Sequence, residues 1–138
     1  MQARHALTIL AVRDLNVAVR FYKKAFGWDQ IVAAPVYAEF ALPGAMRFGL
    51  YQRESFAKNT GHLPVTTPAL AITPTELYFY VEQLDDAVAT LLAAGARLLS
   101  GLSMRGWGEE AAYFADPDGN VIVIARAASS AESTVPVT

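Results

Sequence analysis

Residues 107–126 decide the fold, and they read WGEEAAYFADPDGNVIVIAR. In the middle of this stretch, Asp116 can cap a turn, Pro117 fixes φ at its first corner, and Gly119 can adopt a positive φ. The residues on both sides of the turn are mostly apolar or aromatic. The stretch therefore predicts a β-hairpin.

The outgoing strand of this hairpin, Val121 to Ala125, is apolar at every position. Because successive side chains of a strand point to opposite faces, such a strand has to be covered on both faces. The incoming strand, Glu110 to Ala115, carries Tyr113 and Phe114. What covers the second face is the question that bears on function.

The composition favours one domain, or two small modules that share a core. The 138 residues include no cysteine, 54% are apolar and only 17% are charged, against a usual charged fraction of about 25%. The apolar excess favours a subunit interface or an apolar ligand pocket. The eleven Lys and Arg residues are scattered from Arg4 to Arg126 and the net charge is −2, so we expect no nucleic-acid partner.

The first apolar run of the chain is short and ends at Arg13 and Asp14. It is too short for the apolar core of a cleaved signal peptide or for a membrane span. We therefore expect a cytoplasmic protein without a membrane partner.

The strand and helix patterns predict the element order β, α, β, β, β twice. Placing residue n on residue n + 69 aligns Val12 with Val81 and Leu15 with Leu84. We predict a first module over residues 5–53, a connection over 54–74, a second module over 75–126 and a flexible tail over 127–138. The predicted helices are 15–26 and 84–94. The predicted strands are 7–12, 30–33, 37–42, 46–52, 76–81, 97–100, 110–115 and 121–125.

Three groups of residues carry a resemblance to a known family. They are Val12-Arg13-Asp14-Leu15 with Arg20-Phe21-Tyr22 and Phe26-Gly27, then 81–84 with Ala93-Ala94-Gly95-Ala96, and Trp107-Gly108 ahead of the run from Tyr113 to Asn120. On these residues the chain resembles the vicinal oxygen chelate superfamily. That superfamily includes glyoxalase I, extradiol dioxygenases, fosfomycin-resistance enzymes and bleomycin-resistance binding proteins.

The resemblance implies an α+β fold in which paired βαβββ modules form curled mixed sheets around a central cleft, commonly within a homodimer. In metal-using members, the ligands come from the first and last strands of each module. The matching positions here are Leu7, Glu76, Val123 and a residue near Gly49 or Leu50. Because only Glu76 among them can bind a cation, we expect no cofactor, with a divalent metal as the alternative.

His5 belongs to an alternative metal site. It lies two residues before Leu7, on the same face of an extended strand. A shift in register would bring it into a metal site with Glu76 and either Glu109 or Glu110. A histidine near a terminus is more often a solvated residue.

Glu76 is the candidate for acid/base catalysis, because it shares one strand face with Tyr78 and Tyr80. The three side chains form a polar wall in an apolar cleft, or they line a dimer seam or a solvated sheet face. Trp107 either stacks on a planar ligand or plugs the end of the sheet. The full set of candidate ligand-binding residues is Leu7, Ile9, Phe40, Phe48, Tyr51, Glu76, Tyr78, Tyr80, Trp107, Tyr113 and Val123.

Three functions agree with these residues. The leading hypothesis is metal-independent binding of a planar or partly apolar small molecule by a homodimer, with antibiotic sequestration as one use. The second is a lyase, isomerase or dioxygenase that uses a metal on His5 and Glu76, or Glu76 as an acid/base group. The third is an interaction module whose cleft is filled by its own side chains.

Overall fold

The computed structural model describes residues 1–127. These residues belong to two compact units, of which the first is Met1–Thr66 and the second begins at Thr67. The predicted tail lies, from residue 128 onward, outside the described residues. None of the helices within residues 1–127 has the length and apolar character needed to cross a membrane.

The first unit has the order β, α, β, β, β, followed by one more helix. The elements are β1 (Thr8–Val12), α1 (Leu15–Phe26), β2 (Asp29–Ala33), β3 (Tyr37–Ala41), β4 (Arg47–Gln52) and α2 (Arg53–Thr60). The strands form one sheet in the order β1-β4-β3-β2, in which β1 and β4 are parallel and the other pairs antiparallel.

The second unit repeats this arrangement. Its elements are β5 (Glu76–Tyr80), α3 (Leu84–Ala94), β6 (Arg97–Met104), β7 (Glu110–Ala115) and β8 (Val121–Ala125). The sheet order is β5-β8-β7-β6, with β5 and β8 parallel. Residues 1–127 thus form two four-stranded mixed sheets with three α-helices, which confirms the predicted α+β fold.

The predicted turn of the β7–β8 hairpin is confirmed. One carboxylate oxygen of Asp116 accepts hydrogen bonds from the backbone N–H groups of Asp118 and Asn120, each at 2.9 Å. Gly119 has a φ of 86°, and a Cβ there would lie 2.9 Å from the carbonyl oxygen of Ala71. Glycine is therefore required both for the backbone conformation and for the close approach.

Helix α1 begins and ends as its sequence predicts. The Asp14 side chain accepts a hydrogen bond from the Val17 N–H at 3.2 Å, and Gly27 ends the helix at a φ of 65°. The buried residues are Leu15, Ala18, Phe21 and Tyr22. Helical spacing by itself places Leu15, Val19, Tyr22 and Phe26 on one face, so the buried face is rotated from it toward Ala18 and Phe21.

Two elements differ from the sequence prediction. Helix α2 lies inside the stretch predicted as a connection, and it ends at Gly61 with a φ of 76°. Strand β6 continues to Met104 instead of ending at Ser100, because its pairing with β7 passes through two irregularities in register. Such bulges insert unpaired residues that a strict two-residue period does not reveal.

All five residues of β8 are buried. Helix α3 packs against β7 and β8. On one face of the sheet, Val121, Val123 and Ala125 form a core cluster with Ala111, and three partly buried tyrosines pack against it: Tyr78, Tyr80 and Tyr113. The second apolar face of the outgoing strand is therefore covered by tyrosine side chains of the same unit.

Candidate functional site

The tyrosine-bearing face of the second unit contains an open cavity of about 410 Å³. This volume lies within the range of about 300–1,000 Å³ that is usual for small-molecule sites. Acidic, basic and hydroxyl groups meet apolar walls in it. The lining residues are Ile72, Glu76, Leu99, Ser100, Arg105, Tyr113 and Val121.

Strand register places the cavity residues side by side. Glu76 of β5 is the partner of Val121 in β8, and Tyr113 of β7 is the partner of Ser100 in β6. The cavity thus spans all four strands of the sheet. Its polar groups come from the strands and from the segment that joins β6 to β7, where Arg105 lies.

The guanidinium group of Arg105 is held by neutral partners. Nε and Nη2 donate to the carbonyl oxygen of Ala111 at 3.2 and 2.9 Å, Nη2 also donates to the carbonyl of Gly101 at 2.8 Å, and Nη1 donates to Oγ of Ser100 at 3.1 Å. The guanidinium carbon lies 4.8 Å from the ring centroid of Tyr113, within cation–π distance. These contacts fix the side chain without neutralising its charge.

The charges at the cavity act on the Tyr113 hydroxyl. Burial raises the pKa of Tyr113, the nearby Glu76 carboxylate raises it further, and the Arg105 guanidinium lowers it. The Glu76 carboxylate and the Arg105 guanidinium both line the cavity beside Tyr113. Tyr113 therefore remains a neutral hydrogen-bond donor at ordinary pH.

Glu109 lies on the same face and is only 1% exposed. Its Oε1 accepts a hydrogen bond from the Tyr78 hydroxyl at 2.5 Å, and its Oε2 accepts one from the Tyr80 hydroxyl at 2.8 Å. The indole Nε1 of Trp107 donates to the Tyr78 oxygen at 3.0 Å. We call Glu109, Tyr78, Tyr80 and Trp107 the Glu109 cluster.

The Glu109 cluster keeps the Tyr78 phenol protonated. Burial is the main cause that raises the pKa of Tyr78, and the hydrogen bond to the Glu109 carboxylate raises it further, whereas the Trp107 N–H lowers it. A buried carboxylate with hydroxyl donors on both oxygens is the arrangement that removes the penalty of burying the charge. The cluster is thus a stabilising element beside the cavity.

The hydrogen-bond partner of the two tyrosines was not predicted from the sequence. Tyr78 and Tyr80 do share one face, but their hydroxyls bind Glu109, whereas Glu76 is exposed at the cavity. Sequence reasoning named Glu109 only for the alternative metal site. A signal was present, because in an extended strand Glu109 falls on the same face as Ala111 and Tyr113.

Trp107 is half-buried, and its indole N–H is already bonded to Tyr78. Its ring is therefore held in one orientation next to the cavity face. Stacking of this ring on a planar ligand stays a prediction.

Two predicted ligand-binding residues of the first unit are buried in its core. Phe40 and Phe48 are 0% and 2% exposed and pack with Trp28, while Phe48 also contacts Tyr22 of α1 at 4.9 Å between ring centroids. They belong to the aromatic core under α1. A role for them in ligand binding stays a prediction.

The remaining candidates of the first unit lie on or near the opposite face. Ile9 is 37% exposed, Leu7 is half-buried ahead of β1, and Tyr51 contacts Tyr37 at 5.0 Å between ring centroids. A Cβ at Gly49 would lie 2.9 Å from a ring carbon of Tyr37 and 3.0 Å from Ile9. The space above Gly49 is thus already filled.

The residues at the metal positions implied by the family do not fit a metal ion. Leu7 and Val123 carry no donor atoms, and Val123 is fully buried in the core cluster. His5 is exposed, with one ring nitrogen 3.2 Å from the Thr8 hydroxyl. Within residues 1–127, no three His, Cys, Asp or Glu side chains come together as a metal site would need.

Two open βαβββ units, one with a mainly apolar cavity on its tyrosine-bearing face, define the class of protein. The chain belongs to the Glyoxalase/Bleomycin resistance protein/Dioxygenase superfamily, whose family model matches residues 4–124. It is 28% identical over 112 residues to the metallothiol transferase FosB of Bacillus licheniformis, which covers 81% of this chain and 68% of that protein. It is also 29% identical over 122 residues to the virulence protein STM3117 of Salmonella typhimurium, and the match covers 86% of this chain and 80% of that protein.

The fold agrees with solved structures of the superfamily. A glyoxalase-related enzyme from Fulvimarina pelagi superposes with a TM-score of 0.79 at 23% identity, over 99% of both chains. At this identity the likeness concerns the fold alone.

Proposed function

We propose that this protein binds a planar or partly apolar small molecule in the cavity of its second unit and needs no metal ion to do so. The observation that carries the proposal is the cavity of about 410 Å³, which combines Glu76, Arg105 and Tyr113 with apolar walls. A few polar groups that converge over apolar surface are the usual composition of a ligand pocket. Sequestration of an antibiotic is the use that we propose for such binding.

The apolar walls support a flat ligand. Ile72 and Leu99 are 52% and 36% exposed, so a bound ring would remove their side chains from water. That burial contributes about 25 cal/mol per Å² of apolar surface. The ring of Tyr113 offers a further flat surface.

The size of the cavity argues against the interaction-module hypothesis. A water molecule takes up about 30 Å³ of liquid volume, so a cavity of about 410 Å³ is far larger than a few waters. The side chains of the second unit therefore do not fill this face by themselves.

Fluorescence titration with a panel of glycopeptide and aromatic antibiotics tests the proposal. Trp28 is half-buried in the first unit and stacks on Phe26 at 4.3 Å between ring centroids, so the Trp28→Phe variant leaves Trp107 as the single tryptophan reporter. We expect at least one compound to change this emission and to raise the melting temperature. At a ligand concentration about 100 times Kd, the stabilisation is about 2.7 kcal/mol.

A pair of matched variants locates the binding. Leu99→Glu places a bulky charge in the cavity, whereas Leu92→Glu places the same charge at an exposed position of α3 that does not line it. Only the first variant should abolish binding. No emission or melting change with any compound, or equal loss in both variants, contradicts the proposal.

An enzyme is the second candidate, and the exposed carboxylate of Glu76 at the cavity favours it. Glu76 would act as the acid/base group on a bound carbonyl compound. A Glu76→Gln variant with full turnover would dispose of this role. Stoichiometric metal in protein purified without chelator would instead favour a metal-dependent lyase, isomerase or dioxygenase.

We also propose a homodimer. Strand β6 lies at the edge of its sheet and exposes Leu98 and Met104, which are 48% and 69% exposed. Sedimentation velocity checks the expected dimer mass, and a monomer at all concentrations contradicts it.

A further inference from the structure

We propose that Arg105 makes the cavity selective for ligands that carry a single anionic group, a carboxylate or a sulfonate, on an apolar aromatic body. This inference rests on the proposed function, since it names the ligand class for the same cavity.

The charge of Arg105 is available to a ligand. Its four hydrogen bonds go to two backbone carbonyls and one serine hydroxyl, all neutral. Within residues 1–127, Arg47 and Arg53 each form an ion pair with a glutamate. Within that range, Arg105 therefore has no carboxylate partner at ion-pair distance.

Arg105 also retains a donor. A guanidinium group has five N–H donors, and the four bonds use Nε, both hydrogens of Nη2 and one hydrogen of Nη1. The second Nη1 hydrogen remains for a ligand oxygen. Charge-assisted bonds to such an oxygen are about twice as strong as neutral ones.

The position of Arg105 is set before any ligand arrives. Its backbone N–H donates to the carbonyl of Glu109 at 2.9 Å, and the Gly108 N–H donates to the Arg105 carbonyl at 3.0 Å. The Glu109 side chain in turn is bonded to Tyr78 and Tyr80 of β5. The segment that carries Arg105 is thus tied to the opposite side of the sheet, and a pre-organised cation loses little freedom on binding.

Glu76 limits the ligand to one negative charge. It lines the same cavity and, like Arg105, acts electrostatically on Tyr113. A second anionic group would approach this carboxylate, and like charges in one site repel. A hydrogen-bond donor on the ligand would be favoured at the same place.

The test uses two probes that differ in one charged group, 1-anilinonaphthalene-8-sulfonate and the neutral N-phenyl-1-naphthylamine. We expect the native protein to bind the sulfonate about tenfold more tightly than the neutral probe, because the sulfonate gains one charge-assisted hydrogen bond. The Arg105→Gln variant should lose this preference. Arg126→Gln, which removes one charge at an exposed position outside the cavity, should keep it.

A second variant tests the selectivity independently of the stability of Arg105→Gln. Removing the competing acid with Glu76→Gln should strengthen sulfonate binding about tenfold relative to neutral-probe binding, since one repelled charge is gone. Equal affinity of the native protein for both probes overturns the role of Arg105. The role of Arg105 is also overturned if the preference for the sulfonate persists in Arg105→Gln or does not change in Glu76→Gln.

Failure of the proposed function looks different. If neither probe binds, or if Leu99→Glu leaves the binding of both unchanged, no ligand occupies the cavity and the inference falls with the function. If the neutral probe binds in a Leu99-dependent way but no anion preference exists, the cavity is a binding site and only the role of Arg105 is overturned.

Discussion

The two units share the βαβββ order but place their buried acid and their arginine differently. In the first unit, Glu39 is 7% exposed, accepts a hydrogen bond from Tyr37 at 2.6 Å and pairs with Arg47 at 3.1 Å. In the second unit, the buried acid Glu109 is held by tyrosine hydroxyls, and Arg105 has neutral partners. An arginine that is paired with a carboxylate has its charge neutralised. An arginine whose partners are neutral carbonyl and hydroxyl groups keeps its charge for a ligand.

Removal of the buried acid should have the largest effect. Glu109→Ala leaves the hydroxyls of Tyr78 and Tyr80 without their acceptor, and we expect unfolding free energy to fall by about 3 kcal/mol. Urea denaturation measures it. The control Glu76→Ala removes an exposed carboxylate and should cost less than about 0.5 kcal/mol. Equal costs in the two variants would show that the Glu109 cluster is not stabilising.

Removal of one tyrosine hydroxyl in each unit sharpens the comparison. Tyr78→Phe removes a bond to a buried carboxylate and the acceptor of the Trp107 N–H, so we expect a loss of about 2 kcal/mol. Tyr37→Phe leaves Glu39 paired with Arg47, and a loss of about 1 kcal/mol is expected. Denaturant melts of both variants check the order, and a larger loss for Tyr37→Phe would reverse our ranking of the two units.

A methyl group at Gly49 tests how tightly the face of the first unit is filled. Gly49→Ala places a carbon against the Tyr37 ring and Ile9, and we expect a loss of about 1 kcal/mol from overpacking. Gly101→Ala is the matched control in a strand of the second unit, because nothing lies within 4 Å of its added carbon. Equal melting temperatures of Gly49→Ala and Gly101→Ala would mean that the Tyr37 side chain moves aside without a loss of stability.

High pH should produce the smallest effect. Burial, followed by a hydrogen bond to a glutamate, raises the pKa of Tyr37 and of Tyr78 above the ordinary value near 10. The unfolded chain loses these protons first, so stability is intact below about pH 10 and falls as pH rises above it. Both side chains are half-buried, so water weakens the effect. Denaturation curves at rising pH, compared with the Tyr37→Phe and Tyr78→Phe variants, check the direction.

The local sequence determined the turn and the helix ends, because these depend on residues that are neighbours in the chain. The turn at 116–119 follows from a proline, an aspartate and a glycine at fixed spacing, and α1 begins at Asp14 and ends at Gly27. Strand alternation separated Phe40 from Tyr37 and Glu39. It could not say which of those faces packs under α1, because both contain aromatic residues.

Tertiary structure decided the site. The choice of Glu109 over Glu76 as the partner of Tyr78 depends on register across β5, β8 and β7, and Glu109 lies 31 residues after Tyr78 in the chain. The placement of Arg105 depends on the bulges that let β6 continue to Met104. Sequence periodicity predicts which side chains share a face, because that follows from backbone geometry alone. It does not predict which charged groups meet, because that depends on register between strands distant in sequence.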